Sequence, residues 1–323
     1  MRPRLIHLAF ALLMLSSGAN AADRVTFGLD WLAEAEYGGF YQAVATGIYA
    51  KHGLDVTIRQ GGPQVNQAQF LLAGRIDFAI TSNSFLALNL ARENLPFTAV
   101  GAVFQRDPAI LLAHPGQGHD TFESLRGQPV MISNDSRNGW WTYLRARFGY
   151  DDAQIRPYTF NFAPFLADKR AVQQGYLGSE PYAVRQQAGF DPVVLLLADA
   201  GFQGYGSLIT TSNRLITDKP DLVQRFLDAS FEGWASYLDG DPTPANTLIK
   251  RENPEMTDGL LAFGRDMLIQ RNIVRAPGET LGTMTDARWD AFFHSVQATA
   301  GYPATMDWQR AYTLKFVRGA APK

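Results

Sequence analysis

The chain has 323 residues, no cysteine, and a formal charge of -2 from 29 Lys and Arg against 31 Asp and Glu. That length allows two domains of ordinary size with well-buried cores. The composition excludes disulfide frameworks, thiolate metal sites, cysteine nucleophiles and a cysteine-borne lipid anchor, and the near-balanced charge leaves no footprint for nucleic acid or an anionic membrane.

Arg2 and Arg4, the apolar run 5–15 and Ala19-Asn20-Ala21 form the charged, apolar and small-residue parts of a secretory signal peptide, expected over 1–21. The apolar run falls short of the roughly 20 residues that a membrane span needs. Losing Arg2 and Arg4 would take the charge from -2 to -4. An exported chain with neither disulfides nor lipid fits a bacterial periplasm.

A strand is expected over 25–29, then a helix over 37–46 stopped by Gly47, a strand over 55–60, and a helix over 64–73 closed by Gly74. A short apolar strand over 76–80 runs into Thr81-Ser82-Asn83-Ser84, rich in helix N-cap residues. This alternation predicts a mainly parallel sheet with helices on both faces. Segments 70–83 and 169–181 share one order of parts: helix end, Gly stop, apolar strand, polar strand exit, next helix. Two facing α/β lobes are therefore expected, with ligands beyond the carboxyl ends of the strands.

Strand pairs without an intervening helix are expected at 97–104 with 109–113 and at 193–197 with 207–211. These read as a two-strand hinge, placing lobe 1 at 22–114 and 212–323 and lobe 2 at 115–211. Helices expected over 221–238, 244–251, 257–271 and 286–299 form a tail that clamps the first lobe.

No Gly-x-Ser-x-Gly elbow, P-loop ending or dinucleotide fingerprint occurs, and the histidines lack metal-ligand spacing. No catalytic residue, metal or cofactor is expected. Glu34 and Glu36, two acids after a strand, could be site residues, but two acids in a loop are more often solvated and are read so. The candidates that remain are polar and aromatic residues at strand exits. Trp31 follows the first strand, Tyr37 opens the next helix, and Ser82 and Asn83 can donate to a ligand or cap a helix. Adjacent Trp140 and Trp141 point about 100° apart, so one can be core while the other, taken as Trp141, stacks on a ring. Glu180 follows an apolar strand, where a buried carboxylate calls for an amino or ring N–H partner. Phe104, Asn138 and Tyr205 complete the ligand-binding set.

The segment Gly28-Leu-Asp-Trp-Leu-Ala-Glu-Ala-Glu-Tyr-Gly-Gly-Phe-Tyr41 and the following Ala45-Thr-Gly-Ile-Tyr-Ala-Lys-His-Gly-Leu-Asp-Val56 resemble the opening of periplasmic solute-binding proteins of the thiamine-pyrimidine-precursor, sulfonate and nitrate group. Ala73-Gly-Arg-Ile-Asp-Phe78, Ser124-Leu-Arg-Gly-Gln-Pro-Val130 and Gly178-Ser-Glu-Pro-Tyr182 extend the resemblance over nearly the whole mature chain. It implies a two-lobed type II periplasmic binding fold with doubly wound α/β sheets. It also implies a monomer that delivers a small solute to an inner-membrane ABC permease with its ATPase.

In the pyrimidine branch, the resemblance puts Trp31 at the tryptophan position and Glu180 at the cross-cleft acid. Where that branch often shows Asn-Thr-Asn-His, this chain has Glu34-Ala-Glu-Tyr37. A thiamine pyrimidine precursor is the leading expectation, with an alkanesulfonate, taurine or nitrate-like anion as the alternative and a secreted enzyme or sensory module behind. A fungal branch that builds the pyrimidine from its own histidine needs a cysteine-rich motif. This chain has no cysteine, and no histidine between Thr81 and Leu90.

Overall fold

The computed structural model describes residues 21–276 and 279–317. The expected signal peptide lies, except for Ala21, outside the described residues. Ten strands build the molecule: β1 Asp23–Gly28, β2 Leu54–Arg59, β3 Phe78–Asn83, β4 Phe97–Phe104, β5 Ala109–Ala113, β6 Val130–Ile132, β7 Ile155–Pro157, β8 Val172–Tyr176, β9 Val193–Leu196 and β10 Gly206–Ser212. They form two five-stranded sheets, ordered β2-β1-β3-β10-β4 and β7-β6-β8-β5-β9.

The two orders are the same permutation: second, first and third strands of the lobe, then a guest strand, then the last. In each sheet the first three strands run parallel, and the guest is antiparallel to both of its neighbours. The guest is the strand whose chain has just crossed from the other lobe: β5 in the second sheet, β10 in the first. The repeat expected from segments 70–83 and 169–181 thus corresponds to β3 and β8, the third strand of each sheet.

Strand pairing moves the expected lobe boundaries. β4 and β5 do not pair with each other. β5 lies between β8 and β9, and β10 lies between β3 and β4. The sheets therefore change at Gln105 to Pro108 and at Leu197 to Tyr205, not at 114/115 and 211/212. The reason is that a strand entering a new lobe is captured by that lobe's sheet at once.

Most helices fall close to the sequence expectation. The helix Gly38–Ala45 is followed by Gly47 in the left-handed region, φ 72°. The helix Gln67–Leu72 starts where the Asn66 side chain accepts from the Gln69 N–H. In the tail, the 20-residue helix Pro220–Asp239 packs on Gly38–Ala45, and a Cβ at Gly39 would overlap the Trp234 ring and backbone. The helix Asp258–Gln270 reaches across instead, its Phe263 ring 5.6 Å from Tyr182 of the second lobe.

The largest hydrophobic core joins Phe27, Phe40 and Trp234 of the first lobe to Phe165, Leu177 and Val184 of the second. A second core runs behind the crossings through Phe85, Phe202, Trp289 and Phe292.

Candidate functional site

The chain leaves β1 at Leu29-Asp30-Trp31, beside the exit of β3, because the two strands run parallel. Adjacent parallel exits put Asp30 next to Ser82. Asp30 Oδ1 accepts from the Tyr37 hydroxyl at 2.7 Å, and Oδ2 accepts from Ser82 Oγ. The loop that follows is half-buried around a buried Ala33, whose backbone is satisfied by side chains from elsewhere. The Ala33 N–H donates to Gln60 Oε1 at 2.7 Å, and Asn253 Nδ2 donates to the Ala33 carbonyl at 2.9 Å. A 3-10 turn, Ala35–Tyr37, then sets Glu36 inward at 3% exposure.

The second lobe supplies Glu180 at the start of the helix Glu180–Ala188. Its Oε2 accepts from the Tyr176 N–H at 2.7 Å and from Ser179 Oγ at 2.8 Å. The lobes meet in two places here. The Trp31 ring stacks on Phe160 with centroids 5.4 Å apart and planes 27° apart. Glu36 faces Gly178, where a Cβ would overlap its Oε1, an atom without a hydrogen-bond partner.

Electrostatically the site is a set of carboxylates reluctant to ionise. Burial, followed by the charges of Glu36, Glu180 and Asp30, holds the Glu34 carboxyl well above the usual range. Burial pushes Glu36 up to about 7, with the Glu180 charge adding to it. Asp30 and Glu180 are also raised by burial, against the opposing pull of the hydrogen bonds just described. Tyr176 keeps its phenolic proton through burial and through the charges of Asp107, Asp30, Glu34 and Glu36. Asp107, in the first crossing, accepts from the Ala109 N–H at 2.9 Å and is pushed up to about 7 by burial. Among the described residues, no group of three or more His, Asp or Glu has the arrangement to hold a metal ion.

Of the sequence candidates, Trp31, Tyr37, Ser82 and Glu180 belong to this constellation. The others do not. Asn83 accepts from the Leu86 N–H at 3.2 Å as a helix cap. Phe104 ends a fully buried strand, its ring edge-on to Trp234 at 6.1 Å. Trp141 is 1% exposed in the second lobe's core, its Nε1 donating to Asp152 at 2.9 Å. Trp140 is buried too, because the whole first turn of that helix faces inward and a 100° offset does not bring either ring out. Asn138 is exposed. Tyr205 lies behind the second crossing, against Trp289 at 5.8 Å and under the Arg288 guanidinium at 4.0 Å.

Sequence reasoning missed Asp30, Tyr158, Phe160 and Tyr176, and set Glu34 and Glu36 aside as solvated. For the acids a signal was present: no Lys or Arg lies between Arg24 and Lys51, so these carboxylates have no local counter-charge. The expectation of solvated acids is corrected: Glu36 is buried beneath the lobe contact, and Glu34 is half-buried beside it.

The family model described as "NMT1/THI5 like" matches residues 34–245. The riboflavin-binding protein RibY of Chloroflexus aurantiacus is 28% identical over 312 residues, covering 93% of this chain and 87% of that protein. A formylaminopyrimidine-binding protein of Halalkalibacterium halodurans is 23% identical over 263 residues, covering 77% and 79%. Among solved structures, the periplasmic aliphatic sulphonate binding protein SsuA of Escherichia coli superposes with a TM-score of 0.70 at 15% identity, covering 93% of this chain and 96% of that one. The two-lobed architecture is thus the periplasmic binding protein fold.

Proposed function

The chain belongs to the NMT1/THI5-like family, and on that premise we propose that it is the periplasmic solute-binding component of an ABC importer, capturing a small planar nitrogen heterocycle between its lobes. The observation that carries this is the convergence of Asp30, Glu34 and Glu36 from one lobe with Glu180 from the other. The other charges that act on Glu34 are all carboxylates. An alkanesulfonate, the sulfonate end of taurine or a nitrate ion would be repelled by each of these carboxyls that ionises, and a ring bearing N–H donors would meet acceptors.

An aminopyrimidine of the thiamine-precursor type suits such acceptors directly. An isoalloxazine, the second reading, is favoured by the similarity to RibY. Its one ring N–H lies between two carbonyls, so it needs protonated carboxyls to donate back. Raised Glu34 and Glu36 can supply these. The proposal assigns no reaction to the chain.

Calorimetric titration of the mature protein with formylaminopyrimidine, riboflavin and an alkanesulfonate tests this. A heterocycle is expected to bind in the micromolar range or tighter. Glu180→Gln is expected to weaken it by about tenfold or more, the worth of a hydrogen bond to a charged group at about 1.5–3 kcal/mol. Heat from the sulfonate alone would overturn the proposal.

A further inference from the structure

We propose that Phe160 is the second face of the ligand clamp, a specificity-determining residue that opens from Trp31 to admit a flat ring and then covers it. This rests on the heterocycle-binding reading above. Three features of Phe160 are unusual together. It is 48% exposed, among the large apolar side chains left facing water. Its backbone has φ 56°, a left-handed conformation unfavourable for a residue with a Cβ. And its ring bridges the two lobes, stacked on Trp31.

The surrounding loop is built to hold that conformation. Asn161 Nδ2 donates to the Thr159 carbonyl at 3.3 Å and to Thr159 Oγ1 at 3.0 Å, while its Oδ1 accepts from the Ala163 N–H at 3.0 Å. The turn is therefore pinned on both sides of Phe160. Tyr158 backs the ring at 4.7 Å, and its own hydroxyl feels the Glu180 charge. Trp31, Phe160 and Tyr158 thus form a run of rings in contact, and the Glu180 charge acts on its last member.

With centroids at 5.4 Å, Trp31 and Phe160 are in contact and leave no layer between them. Two stacked layers need about 7–8 Å. Opening by one further ring thickness, about 3.5–4 Å, admits a flat ring and not a bulkier tetrahedral or saturated group. The clamp therefore selects for flatness, independently of the hydrogen bonds that Glu180 accepts.

The test compares Phe160→Ala, Phe160→Tyr and Trp31→Ala in the full mature chain, titrated with formylaminopyrimidine and riboflavin, with melting temperature recorded for each. Phe160→Ala is expected to weaken the heterocycle that the native protein binds by about tenfold, and Phe160→Tyr by less than about threefold. Melting temperature should stay close to native for both, since the ring is half-exposed. Native-like binding by Phe160→Ala, with Trp31→Ala impaired, would overturn the clamp and leave the cleft reading standing. No binding of either heterocycle by the native protein would overturn both.

Discussion

Glu36 keeps a carboxyl at 3% exposure with one oxygen unpartnered, and that has a consequence for pH. Its ordinary value of 4.5 is raised to about 7 by burial, so between these values the folded protein holds a proton that the unfolded chain has released. Stability from this group is complete below about 4.5 and is lost as pH rises through about 7. Asp107, raised from 3.8 to about 7, acts in the same direction. The melting temperature of the ligand-free protein is expected to fall between about pH 5 and pH 8, and Glu36→Gln to flatten that fall. A melting temperature that climbs over this range, or an unaltered profile in the variant, would contradict the burial of Glu36. Trp31, Tyr37, Ser82 and Glu180 were legible in the sequence because a polar or aromatic residue at a parallel strand exit has few other places to go. Phe104, Trp141 and Tyr205 were not. An aromatic side chain filling a core and one lining a cleft have the same local pattern, and only distant partners such as Trp234, Asp152 and Trp289 distinguish them.

The helix Gly38–Ala45 carries the loop of acids on its N-terminal end, so its seating against Pro220–Asp239 positions the site. Two effects oppose each other at Gly39. Alanine is favoured over glycine within a helix by up to about 1 kcal/mol. Against that, a Cβ at Gly39 would overlap the Trp234 ring and its Cα, and overpacking of this kind costs about 1–3 kcal/mol. The overlap includes backbone, which cannot rotate away, so the clash should win. Gly39→Ala is expected to lower stability by about 1–2 kcal/mol in urea denaturation with an unchanged slope. A more stable variant would show that the helices are less closely packed than described. The tail helices were readable from periodicity and punctuation, with expected ends 221–238 against the observed Pro220–Asp239 and 257–271 against Asp258–Gln270. The pairing of β5 and β10 was not. Two apolar strands separated by Gln105-Arg106-Asp107-Pro108 look like a hairpin locally, and nothing in those residues shows that β8 and β9 compete for β5.

Across the whole molecule, the same strand permutation built twice brings the exits of β1 and β3 to face that of β8. That brings carboxylates of both lobes close enough to raise one another. Two chain crossings, a continuous core through Phe40 and Phe165, and the helix Asp258–Gln270 spanning to Tyr182 tie the lobes together. The two-lobed organisation was visible in the repeated order of helix stop, short strand and polar exit, since each lobe must reuse the same local chemistry to build its own sheet. How closely the lobes meet was not visible, because it depends on Gly178 leaving room for Glu36 and on Phe160 reaching Trp31. The central claim is that a flat, N–H-bearing guest is held between these faces. A crystal structure of the mature protein with the tightest-binding heterocycle tests it most directly. The account predicts the ring packed on Trp31 with a donor nitrogen within hydrogen-bond distance of Glu180. A guest bound outside the cleft, or held in it with only acceptor atoms toward Glu180, would contradict it.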